Sequence, residues 1–183
     1  TESDELVDLI YAAMLGEVTW QRFLDALAAR LPEGKATFFM HNSGQGKGSL
    51  SITSGIDEKG ALAYGEYFST RNPWMPTAAA RPVGEGVKDH QLFPREMLYK
   101  TEFYSDFLVP NEMQATAGVT IERDRTFAFM LTTLSARFDP EETEQMARLL
   151  ERLYPHLKRV ANFYRRGPGD TLLSNMTRTI FDA

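Results

Sequence analysis

The 183-residue chain has no cysteine. That excludes thiol nucleophiles, thiolate zinc sites and disulfides, and it favours a reducing compartment. Histidine is scarce, and His41, His90 and His156 show no spacing that suits a zinc pair. An excess of basic charge is also missing. The net charge is −5 and the pI ≈ 5.3, so this segment is not expected to hold nucleic acid by bulk electrostatics. No apolar run approaches the roughly 20 residues of a membrane span. The opening Thr1-Glu2-Ser3-Asp4-Glu5 is acidic where a signal peptide is basic. A soluble, cytoplasmic domain with no membrane partner is the expectation.

Catalytic fingerprints are lacking too. No Gly-x-Ser-x-Gly elbow occurs, and the glycine-rich stretch around Gly46-Lys47 fails the phosphate-loop pattern, because Gly48 follows Lys47 and His41 occupies the leading glycine position. Glu102 and Asp106 could form a carboxylate pair on one helix, which keeps a hydrolytic enzyme as a remote reading. A solvated face beside Phe103 and Phe107 explains them more simply. The residues call for no cofactor and no metal.

What is present is the composition of one compact domain, 43% hydrophobic and 25% charged. A chain of this size buries roughly 70% of its unfolded surface and needs no staple. Leu6, Val7, Leu9, Ile10, Met14 and Leu15 form a helical stripe ending at Gly16. Thr19 then caps a second helix, with Trp20, Phe23, Leu24, Leu27 and Leu31 on one face, stopped by Pro32. Runs at 36–41 and 49–54 predict a hairpin, 57–68 a helix, Val87 a short strand, and 95–99 and 102–108 helical pieces. The runs 115–123 and 126–134 predict the clearest hairpin. Asp139-Pro140-Glu141-Glu142 starts a long helix with an N-cap and a proline at the first helical position. Hairpins with helices clustered outside them indicate an α+β fold on one antiparallel sheet of about five strands. Residues 1–166 read as the domain. Gly167-Pro168-Gly169-Asp170 opens a hinge, and 167–183 reads as the start of a connector helix.

Aromatic residues crowd the stretch from Tyr64 to Phe107: Tyr64, Tyr67, Phe68, Trp74, Phe93, Tyr99, Phe103, Tyr104 and Phe107. Carried over a sheet face, they would either line a ligand cavity or fill a core. Ala117, Gly118 and Ala128 are small residues that favour a cavity, with Phe129 beside them as a further lining candidate. The final helix places Met146, Leu150, Leu153, Leu157, Val160 and Tyr164 at steps of four and three. That spacing predicts a homodimer seam, with packing on the chain's own sheet as the alternative, and Pro155 predicts a kink.

Five phrases carry a resemblance. Tyr67-Phe68-x-x-x-Asn72-Pro73-Trp74, Arg81-Pro82-Val83-Gly84, Phe93-Pro94-Arg95-Glu96, Glu102-Phe103-Tyr104-Ser105-Asp106-Phe107-Leu108-x-Pro110 and Leu153-Tyr154-Pro155-His156-Leu157-Lys158-Arg159 resemble, in that order, the amino-terminal domains of bacterial LuxR-type helix-turn-helix transcriptional regulators. The likeness spans about residues 60–166. It implies a PAS- or GAF-like α-β-α sensor domain, with an N-terminal helix pair and a long C-terminal helix. The implied domain binds an unidentified small molecule, dimerises, and acts on DNA only through a further C-terminal domain. In the acyl-homoserine-lactone branch an Asp-Pro aspartate holds the ligand amide. Asn72-Pro73 stands in the similar place, and an uncharged amide donates as well as accepts. The resemblance therefore implies a regulatory domain rather than a named ligand. A purely structural dimerisation module, its pocket filled by side chains, is the second reading.

Overall fold

The computed structural model describes residues 2–164, so the expected hinge and connector at 167–183 lie outside the described residues. Helices α1 (Glu2–Met14) and α2 (Trp20–Ala28) come first. Leu6, Ile10 and Ala13 turn inward from α1, and Gly16 leaves it at φ +76°. Thr19 Oγ1 accepts from the Arg22 N–H at 3.3 Å, as an N-cap does. α2 closes at Ala28 rather than running on to Pro32, and Leu31 packs from the loop.

One antiparallel sheet follows, in spatial order β2-β1-β5-β4-β3. Its strands are β1 (Lys35–Asn42), β2 (Lys47–Ser54), β3 (Gly86–Lys88), β4 (Ala115–Arg123) and β5 (Phe127–Ser135). Between β2 and β3 lie α3 (Glu58–Glu66), a 3-10 turn (Phe68–Arg71) and α4 (Met75–Ala78). Between β3 and β4 lie α5 (Asp89–Leu92), α6 (Arg95–Leu98) and a π-helical turn (Phe103–Leu108). The long α7 (Pro140–Tyr164) closes the described chain. Asp139 Oδ1 accepts from the Glu141 and Glu142 N–H groups at 2.9 and 3.3 Å, and the helix runs continuously through Pro155.

Strand alternation divides the interior in two. Phe38, Val119, Ile121, Phe129 and Leu131 meet α1, α2 and α7 on one face. Phe39, Val87, Ala128, Met130 and Leu134 meet the irregular segment on the other. The result is an α-β-α sandwich of the α+β class.

The seam expected on the last helix is corrected here. Met146, Leu150, Leu153, Leu157 and Val160 are buried within the chain's own core, and the Tyr164 hydroxyl donates to the Met14 carbonyl at 3.3 Å. α7 packs on β4, β3 and α1 together. A helix wedged between a sheet and a neighbouring helix needs a wider apolar stripe than one lying on a sheet alone, and that accounts for the four-three spacing.

Candidate functional site

Residues 64–113 close over the sheet face opposite α7 and leave a slot of about 70 Å³. Its floor is Gly118, Met130, Thr132 and Phe39, and its roof includes Tyr64, Trp74, Phe103 and Phe107. The roof is one aromatic chain. Phe39 meets Tyr64 at 5.5 Å, Tyr64 meets Phe107 at 5.4 Å, Phe107 meets Phe103 at 5.3 Å, and Phe103 meets Trp74 edge-on at 5.6 Å. Such edge and offset geometries are the favoured aromatic arrangements. The π-helical turn, marked by the Val109 N–H bonding the Tyr104 carbonyl at 2.9 Å, widens one turn so that Phe103, Phe107 and Leu108 all face inward.

Asn72 builds the polar corner. Its Nδ2 donates to the Tyr64 hydroxyl at 3.0 Å, and its Oδ1 accepts from the Trp74 backbone N–H at 3.0 Å, an Asx turn that seats Pro73 and Trp74. Burial pushes the Tyr64 phenol well above its ordinary pKa, against the smaller opposing effect of that hydrogen bond. The Trp74 indole N–H is buried and has no acceptor among the described residues.

Tyr64, Asn72, Trp74, Phe103 and Phe107 thus come together around the slot. Other expected lining residues do not reach it. Tyr67 is 40% exposed, with its hydroxyl donating to Glu102 Oε1 at 2.5 Å. Phe68 packs behind Phe107 at 5.1 Å, and the Tyr104 hydroxyl donates to Gln114 Oε1 at 3.0 Å. Ala117 and Phe129 stand on the α7 face, where Phe129 stacks on Phe38 at 5.5 Å. Neighbours in a strand point to opposite faces, so Gly118 and Ala128 lie on the slot side while Ala117 and Phe129 cannot. The same parity identifies Phe39, Met130 and Thr132, which the aromatic count alone overlooked.

Asp89 and Arg95 were also overlooked. Asp89 is fully buried and pairs with Arg95 at 2.7 Å. Arg95 further donates to the Gln114 carbonyl at 2.8 Å and lies 3.7 Å over the Phe138 ring, so it ties the roof to the start of β4 and to the loop before α7. Glu102 and Asp106 are exposed. Glu102 pairs with Arg71 at 3.5 Å, and Asp106 accepts from Ser105 at 2.8 Å, so they do not face a common cavity. Among the described residues no group of three or more His, Cys, Asp or Glu could hold a metal ion, and no helix is long and apolar enough to cross a membrane.

A second cleft of about 480 Å³, between the end of α2 and the 110–112 turn, is polar and open. Lys35 is buried beside it, with Nζ donating to the Glu33 carbonyl at 3.1 Å. Although it is wider, it is lined largely by polar and surface-turn residues, whereas the slot is walled by aromatic and aliphatic side chains. The slot is the better candidate.

No family model matches the sequence, and no curated protein matches it. Solved structures do. The VqsR LBD domain from Pseudomonas aeruginosa is 14% identical, with a TM-score of 0.65 over 87% of this chain and 96% of that one. CepR2 from Burkholderia cenocepacia, an N-acylhomoserine lactone dependent LuxR family transcription factor, is 14% identical, with a TM-score of 0.59 over 88% and 94%. Both likenesses concern the fold, and the chain folds as the ligand-binding domains of LuxR-type regulators do.

Proposed function

We propose that this chain is the sensory domain of a LuxR-type transcriptional regulator, and that its slot takes a small, largely apolar molecule whose occupancy biases α7. The observation that carries the reading is the position of β3. Val87 points into the slot, while its neighbours face α7: the Gly86 N–H donates to Glu151 Oε1 at 3.0 Å, and Lys88 pairs with Glu144. A displacement of Val87 by ligand is therefore felt directly at the helix that leads to residues 165–183, where a DNA-binding domain would attach. Occupancy acts by population shift between two placements of β3 and the roof. A two-fold assembly on paired DNA half-sites would use a surface other than the buried α7 stripe.

The slot's volume favours one rival. About 70 Å³ is roughly half of the 150 Å³ that takes up benzene in an engineered apolar cavity, which suits a structural module with a nearly filled core. Gly118→Val decides between them. A Cβ there meets only Thr132 Oγ1 at 3.4 Å and the Leu131 carbonyl at 3.5 Å, so the added methyls occupy the slot without a backbone clash. A binding molecule at about 100 times its Kd should stabilise the wild type by roughly 2.7 kcal/mol and leave Gly118→Val unmoved. Absence of any melting shift across a broad set of uncharged small molecules would favour the filled core.

A further inference from the structure

The open cleft between the end of α2 and the 110–112 turn shares no lining residue with the slot. On its wall stands Lys35, the first residue of β1, which is only 7% exposed. The stem of Lys35 crosses Gly55, where a Cβ would lie 2.9 Å from the Lys35 Cγ, so close packing holds the side chain in place. Its Nζ donates to the Glu33 carbonyl at 3.1 Å and, at the limit of a hydrogen bond, to the Glu112 carbonyl at 3.5 Å. Glu33 and Glu112 both line the cleft, so the ammonium is set at the cleft itself. An ammonium has three donors, and among the described residues the third finds no acceptor and no carboxylate pairs with the charge. A buried charge without a counterion is costly, and an anionic group brought to it from the cleft offsets that cost.

The rim has the opposite sign. Asp25, Glu33, Asp57 and Glu112 are exposed around the same cleft, and none of them is in an ion pair among the described residues. Asp25 accepts from Gln21 at 2.9 Å, and Asp57 caps α3 by accepting from the Gly60 N–H at 2.6 Å, both neutral donors that leave the carboxylate charges in place. Exposed carboxylates alone describe only a solvated face. The buried cation beneath them is what selects. A simple anion meets four carboxylates that repel it, and a simple cation leaves the Lys35 charge unanswered, whereas a molecule carrying both signs satisfies both.

We propose that this cleft is a second binding site, for a small zwitterion with an excess of cationic groups, as in a basic amino acid: Lys35 holds its carboxylate and the acidic rim holds its ammonium groups. The cleft's volume of about 480 Å³ accommodates a molecule of that size.

The test titrates L-lysine, and cadaverine, which is L-lysine without its carboxylate, into the ¹⁵N-labelled protein at fixed ionic strength. L-lysine is expected to shift the amide signals of Gly34, Gly55 and Asn111 and to bind roughly tenfold more tightly than cadaverine. In Lys35→Gln, whose amide still donates to a turn carbonyl, that ratio should fall to one or below. Asp25→Asn, a change at an exposed side chain, should weaken both probes together and preserve the ratio, so the proposal remains testable if the Lys35 variant fails to fold. Equal affinities in the wild type, or tighter binding of cadaverine, overturn the proposal and leave an acidic surface only. A ratio unchanged in folded Lys35→Gln overturns it too. Unmoved signals at millimolar L-lysine also overturn it, and Lys35 is then a structural pin between two turns. The slot has no charged lining residue, so each of these failures leaves the sensory reading standing.

Discussion

His41 shows how one side chain sets a pH dependence. It is buried near the end of β1, its ring is stacked on Phe39 at 6.3 Å, and its Nδ1 has no partner among the described residues. Desolvation holds its pKa below the ordinary value. A depressed folded-state pKa means that the unfolded chain binds the proton more readily. The stabilising contribution is therefore complete above the unfolded value, about 6.5, and is lost as pH falls through it towards the folded value. Stability should decline as the pH falls below about 6.5, and His41→Phe, which keeps an aromatic ring, should remove part of that decline. Urea titrations of both proteins at several pH values check this. Identical slopes would assign the dependence instead to His156, which is lowered by burial and by Arg159.

The element on which the fold and the proposed signal both depend is β3, only three residues long. Its alternation sends Val87 to one layer and Gly86 and Lys88 to the other, so a short edge strand touches both faces of the sandwich. Gly84, at φ +84°, leaves space for the Tyr154 ring, which a Cβ would approach to 2.6 Å. Gly86 is tighter, since its Cβ would lie 2.2 Å from the Ala147 carbonyl oxygen. Gly86→Ala should therefore push β3 off α7 and cost about 1–3 kcal/mol, as overpacking does, measurable as a lower urea midpoint. An unchanged midpoint would show that β3 and α7 separate freely, and would weaken the coupling proposed between slot and helix.

For the whole molecule, the buried α7 stripe changes what a leucine substitution means. Leu150 is fully enclosed within the chain's own core. Leu150→Ala should cost about 2–5 kcal/mol through lost transfer energy and the residual cavity, while the mass measured by light scattering stays that of the wild type. A well-folded variant of halved mass would instead return the helix to a dimer seam.

The sequence by itself determined the main elements and their order, though not the single-turn helices α4 and α5. Gly16, the Thr19 cap, the Asp139-Pro140 start and the period-two runs act over a few residues, where capping and alternation are local physics. The aromatic density from Tyr64 to Phe107 likewise marked the segment that covers the sheet. Tertiary structure alone decided how the two layers divide those residues. Strand parity separated Gly118 from Ala117 and Ala128 from Phe129, and the π-helical turn brought Phe103, Phe107 and Leu108 inward together. The packing of α1 against α7 turned an apparent dimer seam into core. Asp89 and Arg95 became a buried tie only because the chain between β3 and β4 folds back on itself. A heptad-like stripe states that a helix face will be buried, but which surface buries it depends on contacts far apart in sequence: Tyr164 with Met14, and α7 with β4, β3 and α1 at once.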